Sequence, residues 1–247
     1  MSRDRHQQDW ERLAEFDPLW AVLTLAGRKG GGWDVDEFFA TGEAEIAHVL
    51  EVADRLGRPG RRDRALDFGC GVGRLTRPLG ARFGRAIGVD ISAAMVEQAR
   101  RLNEGFATCE FRLNEAGDLG DLDNDSFDFV YSNIALQHVP TVPEIERYIT
   151  ELVRVARPDG LVAFGLPTHI PFPLSLQPRR RAYAVLRRLG VSEVWMLRRT
   201  PLTPMRMTHV PETDVRALLG RVGATVLETE PIDEGSVHSL RYYTSPA

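Results

Sequence analysis

The segment Ala65-Leu66-Asp67-Phe68-Gly69-Cys70-Gly71-Val72-Gly73-Arg74-Leu75-Thr76 limits what this chain can fold into more than any other stretch. A short apolar run passes into three glycines at alternate positions and then into a helix-compatible sequence. Glycine permits a sharp backbone turn and lets a ligand approach without a Cβ in the way, so the pattern predicts a strand, a ligand-binding turn and a helix. Beyond it, short apolar runs alternate with helical patterns, as they do in a parallel sheet wound by right-handed crossovers. Strands are expected over 65–68, 86–90, 107–112, 127–132 and 160–166, with closing strands over 224–228 and 238–244. Helices are expected over 74–82, 93–103, 143–156 and 211–222. Ser92 reads as an N-cap, and Pro158-Asp159-Gly160 as the turn between a helix and the fifth strand.

A chain of 247 residues is at the upper end of what one hydrophobic core supports, so a single core with cover elements is expected. Residues 1–60 read as an N-terminal helical cover, with helices over 7–25 and 43–56 and the glycine-rich stretch 27–32 as a flexible break. Residues 61–247 form the core. Within it, 167–206 is too long for an ordinary connection and reads as a lid-like insertion carrying one or two amphipathic helices over 179–197.

The glycine spacing narrows the ligand. A dinucleotide fingerprint, GxGxxG, would need glycine where Arg74 stands; the third glycine comes one residue early, at Gly73. The pattern DxGxGxG led by Asp67 resembles instead motif I of the class I S-adenosylmethionine-dependent methyltransferases. The likeness continues through Gly88-Val89-Asp90-Ile91-Ser92, through Asn114-Glu115-Ala116, through Ser126-Phe127-Asp128-Phe129-Val130-Tyr131-Ser132-Asn133 and through Arg154-Val155-Ala156-Arg157-Pro158-Asp159-Gly160. It is close over about 66–166 and looser beyond 208.

That resemblance implies a doubly wound, mostly parallel seven-stranded α/β sheet of the Rossmann-like methyltransferase type, and S-adenosyl-L-methionine as cofactor. It implies cofactor contacts from Asp67, Gly69, Gly71 and Gly73 in the loop. Asp90 would hold the ribose hydroxyls, with Ile91 and Met95 beside the adenine. Asn114, Glu115 and Ala116 would stand near the adenine amino group, with Asn114 where the family usually has aspartate. Asn133 and the 136–138 turn would lie near the methionine part and the mouth of the acceptor site. Asp67 has a second reading, as a support that holds the loop by hydrogen bonds.

An activated methyl donor leaves the protein mainly the task of alignment, which supplies about 7–11 kcal/mol in favourable intramolecular cases. A hydroxyl or ammonium acceptor also needs a base. His138 and His169 both follow strand ends on the ligand side of such a sheet, and His138 is the catalytic candidate. No metal site is expected: the end of the fourth strand offers Ser132 and Asn133 where a hard divalent cation would want carboxylates. Trp10, Trp20, Trp33, Phe38 and Phe39 read as packing of the cover, the alternative being an acceptor pocket.

The formal charge of −4 is unevenly distributed. Residues 178–206 hold eight arginines against the single acid Glu193, so this stretch carries +7 and the remainder −11. A solvated helix face is the first reading of it. A clamp on an acidic acceptor, or a docking surface for membrane phosphates or RNA, are the alternatives, kept open by Tyr183, Leu186, Val194, Trp195 and Leu197 among the arginines. The acidic remainder and the lack of an Asn/Asp-Pro-Pro-Tyr motif after the fourth strand argue against a nucleic-acid substrate. The expected acceptor is therefore a small molecule methylated on oxygen or nitrogen. RNA methylation and non-catalytic cofactor binding are the competing readings. Two isolated cysteines, Cys70 and Cys109, offer no disulfide framework, and no apolar run has the length of a signal or a membrane span, so a cytoplasmic location is expected. Nothing in the sequence sets the oligomeric state.

Overall fold

The computed structural model describes residues 3–115 and 117–246. Its centre is a seven-stranded sheet in the order β3-β2-β1-β4-β5-β7-β6. The strands are β1 (Arg64–Phe68), β2 (Arg85–Asp90), β3 (Cys109–Leu113), β4 (Phe127–Ser132), β5 (Ala156–His169), β6 (Ala224–Glu234) and β7 (Val237–Pro246). The first five run parallel; β7 is antiparallel to both β5 and β6. This is the doubly wound, mostly parallel arrangement expected, with the chain reversing direction across the sheet between β1 and β4. Ligands of such sheets bind in the crevice outside the carboxyl ends of the strands at that switch point.

Side-chain alternation sorts the strands into two packed layers. Leu66, Phe68, Ile87, Val89, Val130 and Phe164 face α6 (Val142–Val155) and α10 (Glu212–Arg221). Ala65, Ala86, Phe129, Tyr131 and Ala163 face α3 (Val35–Arg55) and α4 (Thr76–Gly80). The same alternation puts Asp67 and Tyr131 on the α3/α4 side. On α6, Ile145, Tyr148, Ile149 and Leu152 recur at helical spacing and are buried; Thr141 caps the helix and its hydroxyl donates to Glu144 at 2.7 Å.

Several boundaries differ from the expectation, each for a local reason. Helix α3 begins at Val35, well before the expected residue 43, because Asp34 is an N-cap whose carboxylate accepts from the Glu37 amide at 3.0 Å. Phe38 and Phe39 are therefore core positions of its first turns. Pro158-Asp159-Gly160 bulge within β5, where pairing with β4 slips between Ala156 and Leu161, in place of a turn ahead of the strand. The glycine-rich stretch 27–32 is tied down: Asp17 accepts from Gly30 and Gly31 at 2.7 and 2.9 Å, and Lys29 donates to the Thr200 carbonyl at 2.9 Å.

Two further helices, α1 (Arg3–Phe16) and α2 (Pro18–Val22), precede α3. The insertion holds α7 (Phe172–Ser175), α8 (Pro178–Arg188) and α9 (Glu193–Arg199). Cover and insertion share a hydrophobic cluster that joins Leu13, Trp20, Phe38, Tyr183, Met196 and Leu197 to Val72 of the glycine loop and Met95 of α5 (Ala93–Leu102). Burying side chains of this size contributes roughly 1.5–3 kcal/mol each. The two segments thus pack as one cap over the β1–β2 edge.

Candidate active site

A cavity of about 1050 Å3, counted with its mouth, lies between that cap and the carboxyl ends of β1, β2 and β4. Its floor is the glycine loop. Gly69 and Gly71 have φ of +75° and +52°, and a Cβ at either would stand 2.2 Å from the Ala135 Cβ or 2.3 Å from the Val22 Cγ2. Conformation and space both demand glycine there. Gly73 is also in the left-handed region, but it packs against Phe111 and Asn103 away from the cavity.

Asp90 closes β2 at the cavity wall. Its Oδ2 accepts from the Gly71 amide and its Oδ1 from that of Ser92, both at 2.9 Å. Each carboxylate oxygen keeps acceptor capacity for a ligand hydroxyl. Burial pushes the Asp90 carboxyl up, and the amides of Ser92 and Gly71 partly offset it. Ile91, Met95, Asn114 and Asn133 also line the cavity. Glu115 is exposed and does not line it, and Ala116 lies outside the described residues.

Asp67 does not line the cavity. Strand alternation turns it under α4, where its Oδ2 accepts from the Thr76 hydroxyl at 2.6 Å and its Oδ1 is buried without a partner among the described residues. Burial above all, with the nearby Glu45 and Asp90 charges, pushes this carboxyl up to about 7 against the pull of Thr76 and Arg74.

Glu45, on α3, is a site residue that the sequence did not disclose. Its Oε1 accepts from the Tyr131 hydroxyl at 2.8 Å and from Asn133 Nδ2 at 2.7 Å, while its Oε2 pairs with Arg74 at 2.8 Å. Burial alone would raise this carboxyl; the Arg74 charge and hydrogen bond, with the Tyr131 hydroxyl, win and hold it below the usual carboxylate range. The amide of Asn133 is thus oriented by the cover, not left free. Asp67 is turned from the cavity and Glu45 is paired with Arg74, so Asp90 is the acid of the three that lines the cavity, where its carboxylate suits a hydroxyl-bearing ligand. Left-handed glycines beside the cavity and Asp90 oxygens with spare acceptor capacity fit S-adenosyl-L-methionine.

The far wall is more apolar, with Trp10, Phe68, Ile134, Val139, Pro140 and Tyr148. Ile134 has φ of +65°, a strained conformation for a β-branched residue, held at the end of β4 where the chain turns into the cavity. His138 sits here, its ring 5.2 Å from that of Trp10. Its Nδ1 is 2.5 Å from the Arg206 carbonyl oxygen, which can only accept. Nδ1 therefore carries the proton, and Nε2 presents its lone pair. Burial lowers the His138 pKa, so the ring is neutral at pH 7. His6, on α1, also lines the cavity; burial, then the charges of His138, Arg206 and Arg180, lower it to about 4. His169 lies outside, with His209 and His238 at 6.5 and 5.9 Å between ring centroids. Of the aromatic residues of the cover, Trp10 reaches the cavity, while Trp20, Trp33, Phe38 and Phe39 pack in the cap.

Known proteins resemble this chain in sequence over its central part and in fold. A family model described as a methyltransferase domain matches residues 66–164. The trans-aconitate 2-methyltransferase of Deinococcus radiodurans is 33% identical over 140 residues, 56% of this chain and 50% of its own. The ubiquinone biosynthesis O-methyltransferase of Hahella chejuensis is 30% identical over 135 residues, 54% of this chain and 55% of its own. The chain thus spans about half the length of these curated relatives. The crystal structure of magnesium protoporphyrin IX methyltransferase from Synechocystis PCC 6803 with bound SAH superposes over 100% of both chains with a TM-score of 0.66 at 22% identity, a likeness of fold. The glycine loop and Asp90 both lie within 66–164, the stretch that matches the methyltransferase domain.

Proposed function

We propose that this protein transfers a methyl group from S-adenosyl-L-methionine to an oxygen or nitrogen of a small molecule, with His138 as the base. The observation that carries the reading is one cavity with two unlike walls: the glycine loop and Asp90 on one side, and an apolar wall holding a neutral His138 with a free Nε2 lone pair on the other. When bound, the cofactor supplies a methyl already activated by its sulfonium. The chain's own task is alignment and the exclusion of water. Asp90 would accept from the ribose hydroxyls, Ile91 and Met95 would flank the adenine, Asn114 would meet its amino group, and the loop backbone with Asn133 would face the methionine part. His138 Nε2 would take the proton from an acceptor hydroxyl or ammonium, while the Arg206 carbonyl holds the ring in the required tautomer. Trp10 and His6 of α1, lying over the cavity, would keep bulk water out.

The two curated relatives carry names that point to small-molecule acceptors, which supports the same class here. The test is incubation of the protein with methyl-labelled S-adenosyl-L-methionine and, separately, the small-molecule, protein and RNA fractions of a cell extract. Label in the small-molecule fraction, lost in His138→Ala, is the expected result. Label confined to RNA, or none in any fraction, would contradict the reading.

A further inference from the structure

Among the described residues, seven of the twelve exposed large apolar side chains fall between 172 and 195, within the insertion. The other five are scattered singly along the chain, which is ordinary for a protein surface. The cluster has a helical logic. On α8, Tyr183 is buried against α1 and its hydroxyl donates to Glu193 at 2.7 Å. The opposite face therefore points outward and presents Val185 and Leu189, the latter 74% exposed, interleaved with Arg181 and Arg188. On α9, Met196 and Leu197 are buried, while Val194 and Trp195 share the outer side with Arg198 and Arg199. Phe172, 75% exposed, with Leu174 and Leu176, extends the apolar surface over α7.

The charges separate in the same way. Arg187 turns inward to Asp9 and Glu193, both at 3.4 Å, and Glu193, the one acid between 178 and 206, is also held by Arg12 at 3.0 Å. Arg179, Arg181, Arg188, Arg198 and Arg199 are exposed and pair with no carboxylate among the described residues. The inner faces of α8 and α9 thus consume the acids, and the outer faces combine aliphatic side chains, one indole and uncompensated positive charge.

We propose that the outer face of the insertion, α7 to α9, docks the protein on an anionic lipid bilayer. A surface of this composition puts its apolar side chains at the acyl boundary and its guanidinium groups among the phosphates. A second copy of this chain would set arginines against the same arginines across a twofold axis. RNA would pair with the arginines but leave Phe172, Leu189 and Trp195 in water. The proposal rests on this surface alone and stands whether or not the cavity transfers methyl groups.

Co-sedimentation with vesicles tests it, using phosphatidylcholine alone and phosphatidylcholine with about a third phosphatidylglycerol, at low and high salt. The expected result is partitioning to the anionic vesicles at least about tenfold stronger than to the neutral ones, weakened by salt. Leu189→Asp with Trp195→Ala, and separately Arg181→Gln with Arg188→Gln, are each expected to lower it by about tenfold or more. Unchanged thermal unfolding and unchanged S-adenosyl-L-methionine binding in these variants would show that only the surface was altered. The proposal is overturned by no partitioning, by equal partitioning to both vesicles, by variants that bind as the parent does, or by a dimer that Leu189→Asp dissociates.

Discussion

Asp67 and Asp90 begin as equivalent letters of one motif, and strand geometry gives them different work. Asp90 ends its strand and faces the cavity; Asp67 lies within its strand and is turned under α4. Asp90→Asn keeps one acceptor for the loop amides but loses the charge that strengthens hydroxyl contacts. It should weaken S-adenosyl-L-methionine binding by roughly tenfold to a hundredfold, measured by calorimetry, and lower the unfolding temperature, since one of the two amides then faces an NH2 group. An unchanged affinity would remove the ribose role. Asp67, with its carboxyl pushed up to about 7 from 3.8, is protonated in the folded protein over a pH range where the unfolded chain is ionised. Its contribution to stability is therefore greatest below about pH 4 and falls as pH rises towards 7. Asp67→Asn should gain in unfolding temperature on the parent protein from about pH 5 to about pH 8, and a constant difference would show that the group does not titrate there. For His138, the lowered pKa puts the acid limb of kcat/KM below 6.5, the ordinary imidazole value; a limb above it would require another base.

At the scale of elements, α1 is fastened over the cavity by a contact that no local pattern announces. Glu11 accepts from the amides of Ala93 and Ala94 at 2.6 and 3.0 Å, occupying the start of α5 immediately after Asp90 and Ser92. Glu11→Ala should cost about 1 kcal/mol and speed amide exchange through α1 while leaving the sheet protected. Equal protection of α1 in both proteins would mean that the cap is held by its hydrophobic cluster alone. The sheet was legible because Leu66, Ile87, Val130 and Val162 sit in apolar runs whose length and flanking turns signal buried strands. The start of α3 was also written in the chain, as Asp34 three residues before Glu37, a cap-like pair. Glu45 was not legible. It stands on a helix among ordinary polar residues, and its partners Tyr131 and Asn133 lie 86 and 88 positions away, so nothing short of the folded sheet brings them together. The arginine-rich stretch was legible as charge but not as direction. Tyr183 and Leu197, which the sequence interleaves with the arginines, turn inward, and Val185 and Leu189 take the outer side.

Taken whole, the molecule is a doubly wound sheet whose switch-point crevice is roofed by the N-terminal cover, against which the insertion packs. Cover and insertion meet through Tyr183, Met196 and Leu197 on one side and Leu13 and Trp20 on the other, and both reach Val72 and Met95 beside the glycine loop. The glycine-loop wall and the His138 wall thus lie in one cavity. Asp90 at the cavity wall suits a ligand with ribose hydroxyls, and the glycine spacing, with Gly73 ahead of Arg74, is what separates this loop from a dinucleotide site on a similar sheet. Calorimetric titration of the protein with S-adenosyl-L-methionine and, separately, with NAD measures this directly. Micromolar binding of the first with no heat from the second is the predicted result; binding of NAD, or of neither, would contradict it.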